Sequence, residues 1–412
     1  MTGPRVAGRV GVGQAPEAPA TPRVALVGAS GHGLWHRRVI APLHDTGRLE
    51  LVALVDVRPV EPAPDAPVPD GVGVFTDHRE MLRVARPDVV VICTPPHTHL
   101  PIALDAVAAG ADLLLEKPPV LSLAEHRRLA EALRAAGRRC QVGFQALGSA
   151  ALRELLAAVT DGRLGEITGI STVASWQRSD GYYARSSWAG RRSLNGHPVL
   201  DGALANPLAH AVMQSLAVAA AARPGDPVLP VGVELERYRV RPIEVDDTAT
   251  LRVTLTSGLP VVAAVTLAGE DFVPGEVIVH GTAGRAVLEY PTDRLSLPGD
   301  PGLRVVPGRV SLLENLLAHR DDPDGVPLLV PLDRTAGFTA IMEVVHAGPA
   351  PTLVDGDRVV VSGEAAERVV SIRGVDAVLR RAAEERALLS ELGVPWAVGP
   401  HRVELAAQVD HG

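Results

Sequence analysis

The sequence predicts an α/β fold that opens with a doubly wound parallel sheet and continues into a second, α+β domain. Short apolar runs without two-residue alternation are typical of strands buried on both faces. Helical segments separate these runs, and repeated strand–helix–strand units favour a parallel sheet with helices on both faces. The chain has 412 residues, 46% hydrophobic and 21% charged, which is ordinary for a globular protein of two or three domains.

The predicted elements of the first domain follow in order along residues 23–145. Strands are expected at 23–27, 50–56, 88–93, 111–115 and 139–144, and helices at 34–44, 77–85, 100–109 and 122–136. A proline-rich stretch at 61–70 is interpreted as a loop. Residues 1–22 lack an apolar run of signal-peptide length, so we interpret them as a flexible tail.

The loop after the first strand, GASGHG, approximates the dinucleotide-binding fingerprint. That fingerprint has glycine at its first, third and sixth positions, for a tight turn, close approach to the pyrophosphate and close helix packing. Serine stands at the third position, where its small hydroxyl side chain still permits a phosphate contact. The predicted phosphate-binding residues are Gly28, Ser30, Gly31, His32 and Gly33, and the following helix N-terminus adds amide donors.

Asp56 ends the second predicted strand, where dinucleotide-binding domains carry the acid that binds the adenosine ribose. A carboxylate there accepts two hydroxyl hydrogen bonds and repels a 2′-phosphate, which favours NAD. Arg58 lies two residues further on and would pair with such a phosphate, so NADP stays possible. The alternative interpretation is that Asp56 is a turn residue.

Composition excludes several classes of protein. Forty Lys and Arg against 48 Asp and Glu give a net charge of −8, which argues against a nucleic-acid binder. Two cysteines, Cys93 and Cys140, are too few for a disulfide scaffold and suit a reducing cytoplasm. The uncharged run 202–222 has membrane-span length but carries polar residues, so we interpret it as a buried helix crossing an active site and expect no membrane partner.

Four motifs in a fixed order carry a family resemblance. Thr94-Pro95-Pro96-His97-Thr98-His99 follows the third main strand, and Glu116-Lys117-Pro118 follows the next. Val245-Asp246-Asp247-Thr248-Ala249 and Gly281-Thr282-Ala283-Gly284-Arg285-Ala286 stand where later sheet strands enter and turn. With the glycine loop, this order resembles the glucose–fructose oxidoreductase / inositol dehydrogenase (Gfo/Idh/MocA) family over residues 23–290.

The resemblance implies an NAD(P)-dependent oxidoreductase acting on a sugar, polyol or cyclitol. It implies that residues 146–412 form a domain with a large open, mainly antiparallel sheet, often used to build a homodimer or homotetramer. The sequence agrees in outline, with helices expected at 150–159 and 204–222 and further helices within 362–392. Strands are expected at 166–175, 230–240, 247–256, 260–267, 275–281 and 284–290.

The resemblance also implies catalytic roles. Lys117 would lie beside the nicotinamide and the reacting carbon, holding the substrate oxygen as a proton leaves it. His210 would accept that proton. Asn206 stands where the family has an aspartate, and an amide cannot hold the charge that raises a histidine pKa. Asp201 is the alternative carboxylate. The other possibilities are a surface salt bridge at Lys117 and a core histidine at His210.

The same likeness assigns cofactor contacts beyond the glycine loop. The loop with Thr94, Pro95, His97 and His99 would face the ribose and nicotinamide. Glu116 and Gln145 complete the predicted cofactor set with Lys117. The spacing of His97 and His99 superficially suggests a metal, but no third ligand is placed nearby, so no metal is expected.

The irregular stretch 176–193 is the candidate substrate wall, together with Lys117, Asn206 and His210. It concentrates half of the chain's Trp and Tyr residues, namely Trp176, Tyr182, Tyr183 and Trp188. Aromatic faces pack on the C–H faces of sugar rings, and nearby arginines could recognise a carboxylate or phosphate. The alternative is a loop packed on the domain sheet or on a neighbouring subunit.

Two rival functions remain. The scaffold could run net non-redox sugar chemistry, elimination or glycoside cleavage, through a transient ketone. Alternatively, Ser30 and Asn206 could mark an inactive homologue that binds nucleotide without turnover.

Overall fold

The structure is a computed structural model that describes residues 21–199 and 201–405. The flexible tail expected at 1–22 lies outside the described residues except for its last two positions. In the described part no helix is long and apolar enough to cross a lipid bilayer.

The first domain is a doubly wound parallel sheet, as predicted, and it has six strands, one more than the five expected. Its strands are β1 (Arg23–Val27), β2 (Glu50–Val55), β3 (Gly73–Phe75), β4 (Val89–Ile92), β5 (Asp112–Leu115) and β6 (Cys140–Val142). Its helices are α1 (Gly33–Asp45), α2 (His78–Ala85), α3 (His99–Ala108) and α4 (Leu123–Ala136). The strand order β3-β2-β1-β4-β5-β6 reverses between β1 and β4. This reversal is the point where such sheets bind ligands.

Local sequence explains these elements. The four residues of β4 are completely buried, as the unbroken apolar run predicts for a strand covered on both faces. Helices α2 and α4 begin at Asp77 and Ser122, whose side chains accept hydrogen bonds from the amides of Arg79 and Glu125. Strand β3 was not predicted because three residues carry too little periodicity to be detected.

The second domain is built on a ten-stranded, mainly antiparallel sheet, which confirms the predicted fold class. The remaining strands are β7 (Ile167–Gln177), β8 (Ser193–Leu194), β9 (His197–Pro198), β10 (Pro230–Arg239), β11 (Thr248–Leu255), β12 (Pro260–Thr266), β13 (Ala268–Gly281), β14 (Gly284–Glu289), β15 (Arg294–Ser296), β16 (Arg304–Val305), β17 (Thr352–Leu353), β18 (Val359–Ser362), β19 (Val369–Ile372) and β20 (His401–Glu404). The helices are α5 (Ala150–Thr160), α6 (Asp180–Ala184), α7 (Ala209–Ala222), α8 (Leu312–Asp321), α9 (Ala336–Ala347) and α10 (Val375–Glu385).

Both faces of this sheet are packed within the chain. One face belongs to the main hydrophobic core with α5 and α7. The other face carries Val173, Ala264 and Ile278, all fully buried, in a separate cluster with α10. Ion pairs such as Arg380–Glu276, at 3.0 Å, join α10 to the sheet. Helix α10, near the C-terminal end of the described residues, therefore covers part of this face.

The chain returns to the first domain after the large sheet. Helix α8 contacts β5 and β6. The amide of Val142, in β6, donates to the carbonyl of Val330 at 2.8 Å, and the buried Gln141 amide donates to Asn315. This segment thereby fixes the edge of the parallel sheet to the second domain.

Two element predictions were wrong. The helix expected at 204–222 begins only at Ala209, and residues 202–208 form turns. Gly202 has φ +107°, a conformation outside a right-handed helix, and Pro207 has no amide hydrogen to donate. The stretch 362–392, expected to be helical, contributes strand β19 as well as α10.

Candidate active site

The candidate site lies where the carboxyl ends of β1, β4 and β5 meet the second domain. The glycine loop makes the tight turn after β1. Gly28 has φ +87°, and a Cβ there would lie 2.1 Å from the Cys93 carbonyl oxygen. A Cβ on Gly33 would lie 1.8 Å from the carbonyl oxygen of Gly28. Both positions therefore require glycine for the close packing predicted from the fingerprint.

The loop also leaves backbone donors for an anion. The amides of Gly31 and His32 have no acceptor within residues 21–199 and 201–405. The first turn of α1 contains no acidic residue. Free amides and an uncompensated positive dipole end suit a phosphate, so the loop fits the pyrophosphate of a dinucleotide.

Asp56 ties this loop to the end of β2. Its Oδ2 accepts a hydrogen bond from the amide of Ser30 at 2.9 Å, and its Oδ1 accepts one from the amide of Arg58 at 3.0 Å. A carboxylate has further lone pairs for a ribose diol. The Arg58 guanidinium lies 4.0 Å from Asp56 and its side chain is 74% exposed. The turn role and the predicted ribose role are thus compatible.

Glu116 is buried behind the glycine loop. Its Oε1 lies 3.0 Å from Nε2 of His36 and 3.8 Å from Nε2 of His32, and its Oε2 accepts a hydrogen bond from the amide of Lys117. Burial acts to raise the pKa of Glu116, but the hydrogen bonds and charges of His32 and His36 lower it well below its usual range. This carboxylate stays ionised and holds the backbone at Lys117.

Sequence reasoning did not assign His36 a role. The signal available was its spacing of four residues from His32, which places both rings on one side of α1. His32, His36 and Cys93 bring potential metal-ligating atoms within 4.8 Å of one another. His36 is already engaged by Glu116, and burial raises the pKa of the Cys93 thiol so that it stays protonated. We therefore keep the absence of a metal as a prediction.

Lys117 is the residue after Glu116, and its peptide bond to Pro118 is cis. Its Nζ donates to the carbonyl oxygen and to the side-chain Oδ1 of Asn206, both at 2.9 Å. The Asn206 amide nitrogen in turn donates to Oδ1 of Asp201 at 3.0 Å. Burial lowers the pKa of Lys117, although Glu116 and Asp201 act to raise it. The amide thus connects the ammonium to a buried carboxylate.

Lys117 is the only lysine of the chain, whose other 39 basic side chains among Lys and Arg are arginines. The signal was available in the sequence and was not used there. A guanidinium stays protonated at any accessible pH, whereas an ammonium can lose its proton when buried. The one lysine stands at a half-buried position in this site, where proton exchange would require lysine and not arginine.

His210 lies in the first turn of α7. Its ring packs edge-on against Phe144, with centroids 5.8 Å apart, and 6.5 Å from the ring of Tyr290. Its Nδ1 is buried without a hydrogen-bond partner in the described part. Burial first, and then the charge of Lys117, lowers the pKa of His210 to about 3. The imidazole is therefore neutral around pH 7 and has an unused ring nitrogen.

Three of the four predicted wall aromatics lie along one run of stacked cations and rings. Asp201 pairs with Arg185 at 3.4 Å. Arg185 stacks on Tyr182 and Trp188, at 3.7 Å and 4.8 Å from the ring centroids. Arg178 lies 4.8 Å from the centroids of both Tyr182 and Trp176. The wall therefore connects to Asn206 through Asp201.

Tyr183 points elsewhere. It lies beside Gly190 and packs under Arg241, 5.2 Å from the guanidinium carbon. Burial raises its pKa beyond the ordinary range. Tyr183 thus supports the wall from behind in this arrangement, and a direct substrate contact remains a prediction.

The predicted cofactor residues in the loop after β4 make different contacts. His99 is buried, and its ring nitrogens face the carbonyl oxygens of Thr94 and Pro118 at 2.8 Å and 2.9 Å, so the ring joins two loops. His97 stacks on His197 at 4.8 Å between centroids, which links this loop to β9. Of the other predicted cofactor residues, Pro95 is exposed and Gln145 is half-buried. Gln145 directly follows Phe144 in the sequence.

Comparison with known proteins agrees with this geometry. Residues 22–144 match the family model described as "Oxidoreductase family, NAD-binding Rossmann fold". The chain is similar to a D-glucoside 3-dehydrogenase of Escherichia coli, with 31% identity over 180 residues, 43% of this chain and 50% of that protein. It is also similar to an inositol 2-dehydrogenase of Gluconacetobacter diazotrophicus, with 33% identity over 165 residues, 38% of this chain and 46% of that protein.

The chain thus spans about half the length of these curated relatives. Among solved structures, the fold is similar to that of the WlbA dehydrogenase from Bordetella pertussis, in complex with NADH and UDP-GlcNAcA. The TM-score is 0.63 at 21% identity, covering 79% of this chain and 95% of that one. This likeness extends across both domains and concerns the fold.

Proposed function

Residues 22–144 of this chain belong to the Gfo/Idh/MocA family of NAD-binding oxidoreductases, and on that premise we propose that the protein is an NAD(P)-dependent dehydrogenase or reductase. Its substrate is a sugar, polyol or cyclitol, with reaction at a secondary alcohol or the matching ketone. The relatives named as glucoside and inositol dehydrogenases support this substrate class.

One observation carries the proposal: the only lysine of the chain is half-buried and hydrogen-bonded to Asn206, with Asp201 behind the amide. A lysine whose pKa is lowered gives up and regains its proton more readily than an exposed lysine does. The Asn206 oxygens orient the ammonium, and Asp201 fixes the amide. The carboxylate that the resemblance expects at position 206 is thus present one hydrogen bond away.

The cofactor part rests on the glycine loop. When bound, NAD supplies the hydride acceptor at its nicotinamide. Gly31 and His32 would hold its pyrophosphate through their free amides, and Asp56 its adenosine ribose. Glu116 fixes the backbone of Lys117, so the lysine ammonium would stay in place beside the nicotinamide.

Lys117 and His210 divide the work at the reacting oxygen. A histidine with a pKa of about 3 is a weak base, so the neutral ring of His210 accepts a hydrogen bond from the substrate hydroxyl and orients it, in place of the proton acceptance that the resemblance implies. Lys117, in its neutral form, takes the proton as the alcohol is oxidised, and in its ammonium form returns it to a ketone. Asn206 keeps the lysine nitrogen in place in both directions.

The proposal is tested by incubating the protein with NAD or NADP and a panel of sugars, polyols, inositols and sugar acids. Reduced nicotinamide should accumulate in step with ketone product. Ketone-derived elimination or cleavage products without accumulating reduced cofactor would favour the non-redox rival. Nucleotide binding without turnover of any compound in either direction would favour the inactive homologue.

Cofactor choice gives a separate prediction. Replacing Asp56 with asparagine keeps an acceptor for the Ser30 amide but removes the charge that repels a 2′-phosphate. We expect the ratio of NAD to NADP affinity to fall by about tenfold to a hundredfold, the value of a hydrogen bond to a charged group. Calorimetric titration of both cofactors measures the ratio, and Asp65→Asn, at an exposed acid paired with Arg38, is the matched control. An unchanged ratio would remove Asp56 from the cofactor site.

Location and assembly complete the proposal. Both cysteines are free thiols, in keeping with the cytoplasmic location expected from the sequence. The expected homo-oligomer, a dimer or tetramer, would use a surface other than the sheet face that α10 already covers.

A further inference from the structure

The positive charges around the candidate site are not all neutralised. Arg185 pairs with Asp201, and Arg309 pairs with Asp293 at 2.7 Å. Lys117 has Asp201 behind Asn206. Arg178 has no carboxylate partner within the described residues. Its Nη1 donates a hydrogen bond to the carbonyl of Gln177 at 3.2 Å, and its side chain also bonds to Tyr182.

Arg178 is nevertheless held firmly. Its guanidinium stacks against Trp176 and Tyr182, and the Arg178 carbonyl accepts a hydrogen bond from Arg241 at 2.7 Å. Trp176 is fixed in turn by the hydrogen bond from its Nε1 to the carbonyl of Pro274, at 2.8 Å. A half-buried arginine stacked between two rings has little freedom to reach another partner, so its charge is presented in one place.

Tyr290 supplies a second unsatisfied donor on this side of the site. Its ring is buried against Gly275 and lies 6.5 Å from His210. Its hydroxyl is buried without a hydrogen-bond partner in the described part. Buried hydroxyls are rarely left without partners. Tyr290 thus offers a donor without an acceptor, and Arg178, whose charge acts on Tyr290, offers a cation without a carboxylate partner within the described residues.

We infer that this side of the site binds an oxyanion carried by the sugar substrate, a carboxylate or a phosphate, with Arg178 as its principal partner and Tyr290 as a further donor. The inference rests on the proposed function, since it places the anion on the substrate whose alcohol faces Lys117 and His210. A planar guanidinium recognises either oxyanion through paired hydrogen bonds.

The test is calorimetric titration of the NAD-loaded protein with three kinds of probe: D-glucuronate and D-galacturonate, glucose phosphate, and the neutral parents glucose and galactose. We expect at least one acid to bind about tenfold to a hundredfold more tightly than its neutral parent. Raising the salt concentration should weaken the binding of the acid but not the binding of the neutral sugar. If the uronates bind more tightly than glucose phosphate, the oxyanion is a carboxylate. If glucose phosphate binds more tightly, it is a phosphate.

Arg178→Gln should weaken binding of the acid by about tenfold to a hundredfold and bring the ratio of acid to neutral-sugar affinity close to one. The matched control is Arg191→Gln, in the same irregular stretch but paired loosely with Glu244 at 3.9 Å, which should keep the preference. Equal affinities for acids and neutral sugars in the wild-type protein would overturn the inference. So would an unchanged preference in Arg178→Gln.

Measuring both binding and NAD reduction distinguishes a failure of this inference from a failure of the proposed function. If acids bind preferentially through Arg178 and no probe reduces NAD, the proposed function fails and the anion site stands. If neutral alcohols reduce NAD as well as the acids do, the proposed function stands and the anion site falls.

Discussion

Replacing Lys117 with arginine should reduce kcat by about a thousandfold while leaving NAD affinity within a few-fold of the wild-type value. The substitution keeps the positive charge but supplies a group that cannot release its proton. Proton transfer by a positioned side chain contributes about 10²–10⁴-fold to a rate, and the larger guanidinium would also disturb the hydrogen bonds that the Lys117 Nζ makes to Asn206.

The matched variant is Lys117→Met, which removes both charge and proton. A loss equal to that in Lys117→Arg would mean that proton release, and not charge, is what the site needs. Initial-rate kinetics give kcat, and calorimetric titration gives NAD affinity. An arginine variant that retains a tenth or more of the wild-type kcat would contradict a proton-carrying role for Lys117.

Replacing His210 with alanine should reduce kcat/KM by about a hundredfold, the lower range for losing one positioned catalytic group. The imidazole would no longer accept a hydrogen bond from the substrate hydroxyl, so the alcohol would lose its orientation toward Lys117. His126→Ala is the matched control because His126 is equally buried but bonds to the carbonyl of Leu332. That control should lower stability without lowering kcat/KM.

The low pKa of His210 also predicts how stability depends on pH. The folded protein keeps this imidazole neutral down to about pH 3, whereas an unfolded histidine binds a proton near pH 6.5. Above about pH 6.5 the neutral imidazole therefore does not lower the free energy of unfolding. As the pH falls from about 6.5 toward 3, the free energy of unfolding falls progressively, because only the unfolded histidine binds the proton. Urea unfolding at pH 7 and pH 5 should show a smaller pH effect in His210→Ala. An identical pH effect in both proteins would contradict the burial of a neutral imidazole.

Much of the fold was predictable because the first domain repeats short apolar strands and capped helices. Those signals are local, and the parallel order follows from the helical crossovers. The second domain was less predictable. Val173 and Ile278 pack against α10, which lies about a hundred or more residues further along the chain. No local sequence pattern indicates which segment covers a face of the sheet.

The candidate site shows the same division between local and long-range information. The glycine loop and Asp56 follow a known spacing, and a hydrogen bond from the Ser30 amide to Asp56 joins them in the structure. The link from Asn206 to Asp201 was not predictable, because an ideal helix would have turned the two side chains apart. The turn at residues 202–208 brings them within 3.0 Å. The unpaired charge of Arg178 likewise becomes visible only when its neighbours are located in space.

The most direct measurement is an NMR titration of protein labelled with ¹³C at lysine Cε. Because Lys117 is the only lysine, the spectrum contains one lysine signal and needs no assignment. The account predicts a titration midpoint below the ordinary lysine value of about 10.4, shifting further when NAD binds because the pyridinium ring adds a positive charge nearby. A midpoint at or above that value, unmoved by NAD, would contradict a proton-carrying lysine at the cofactor.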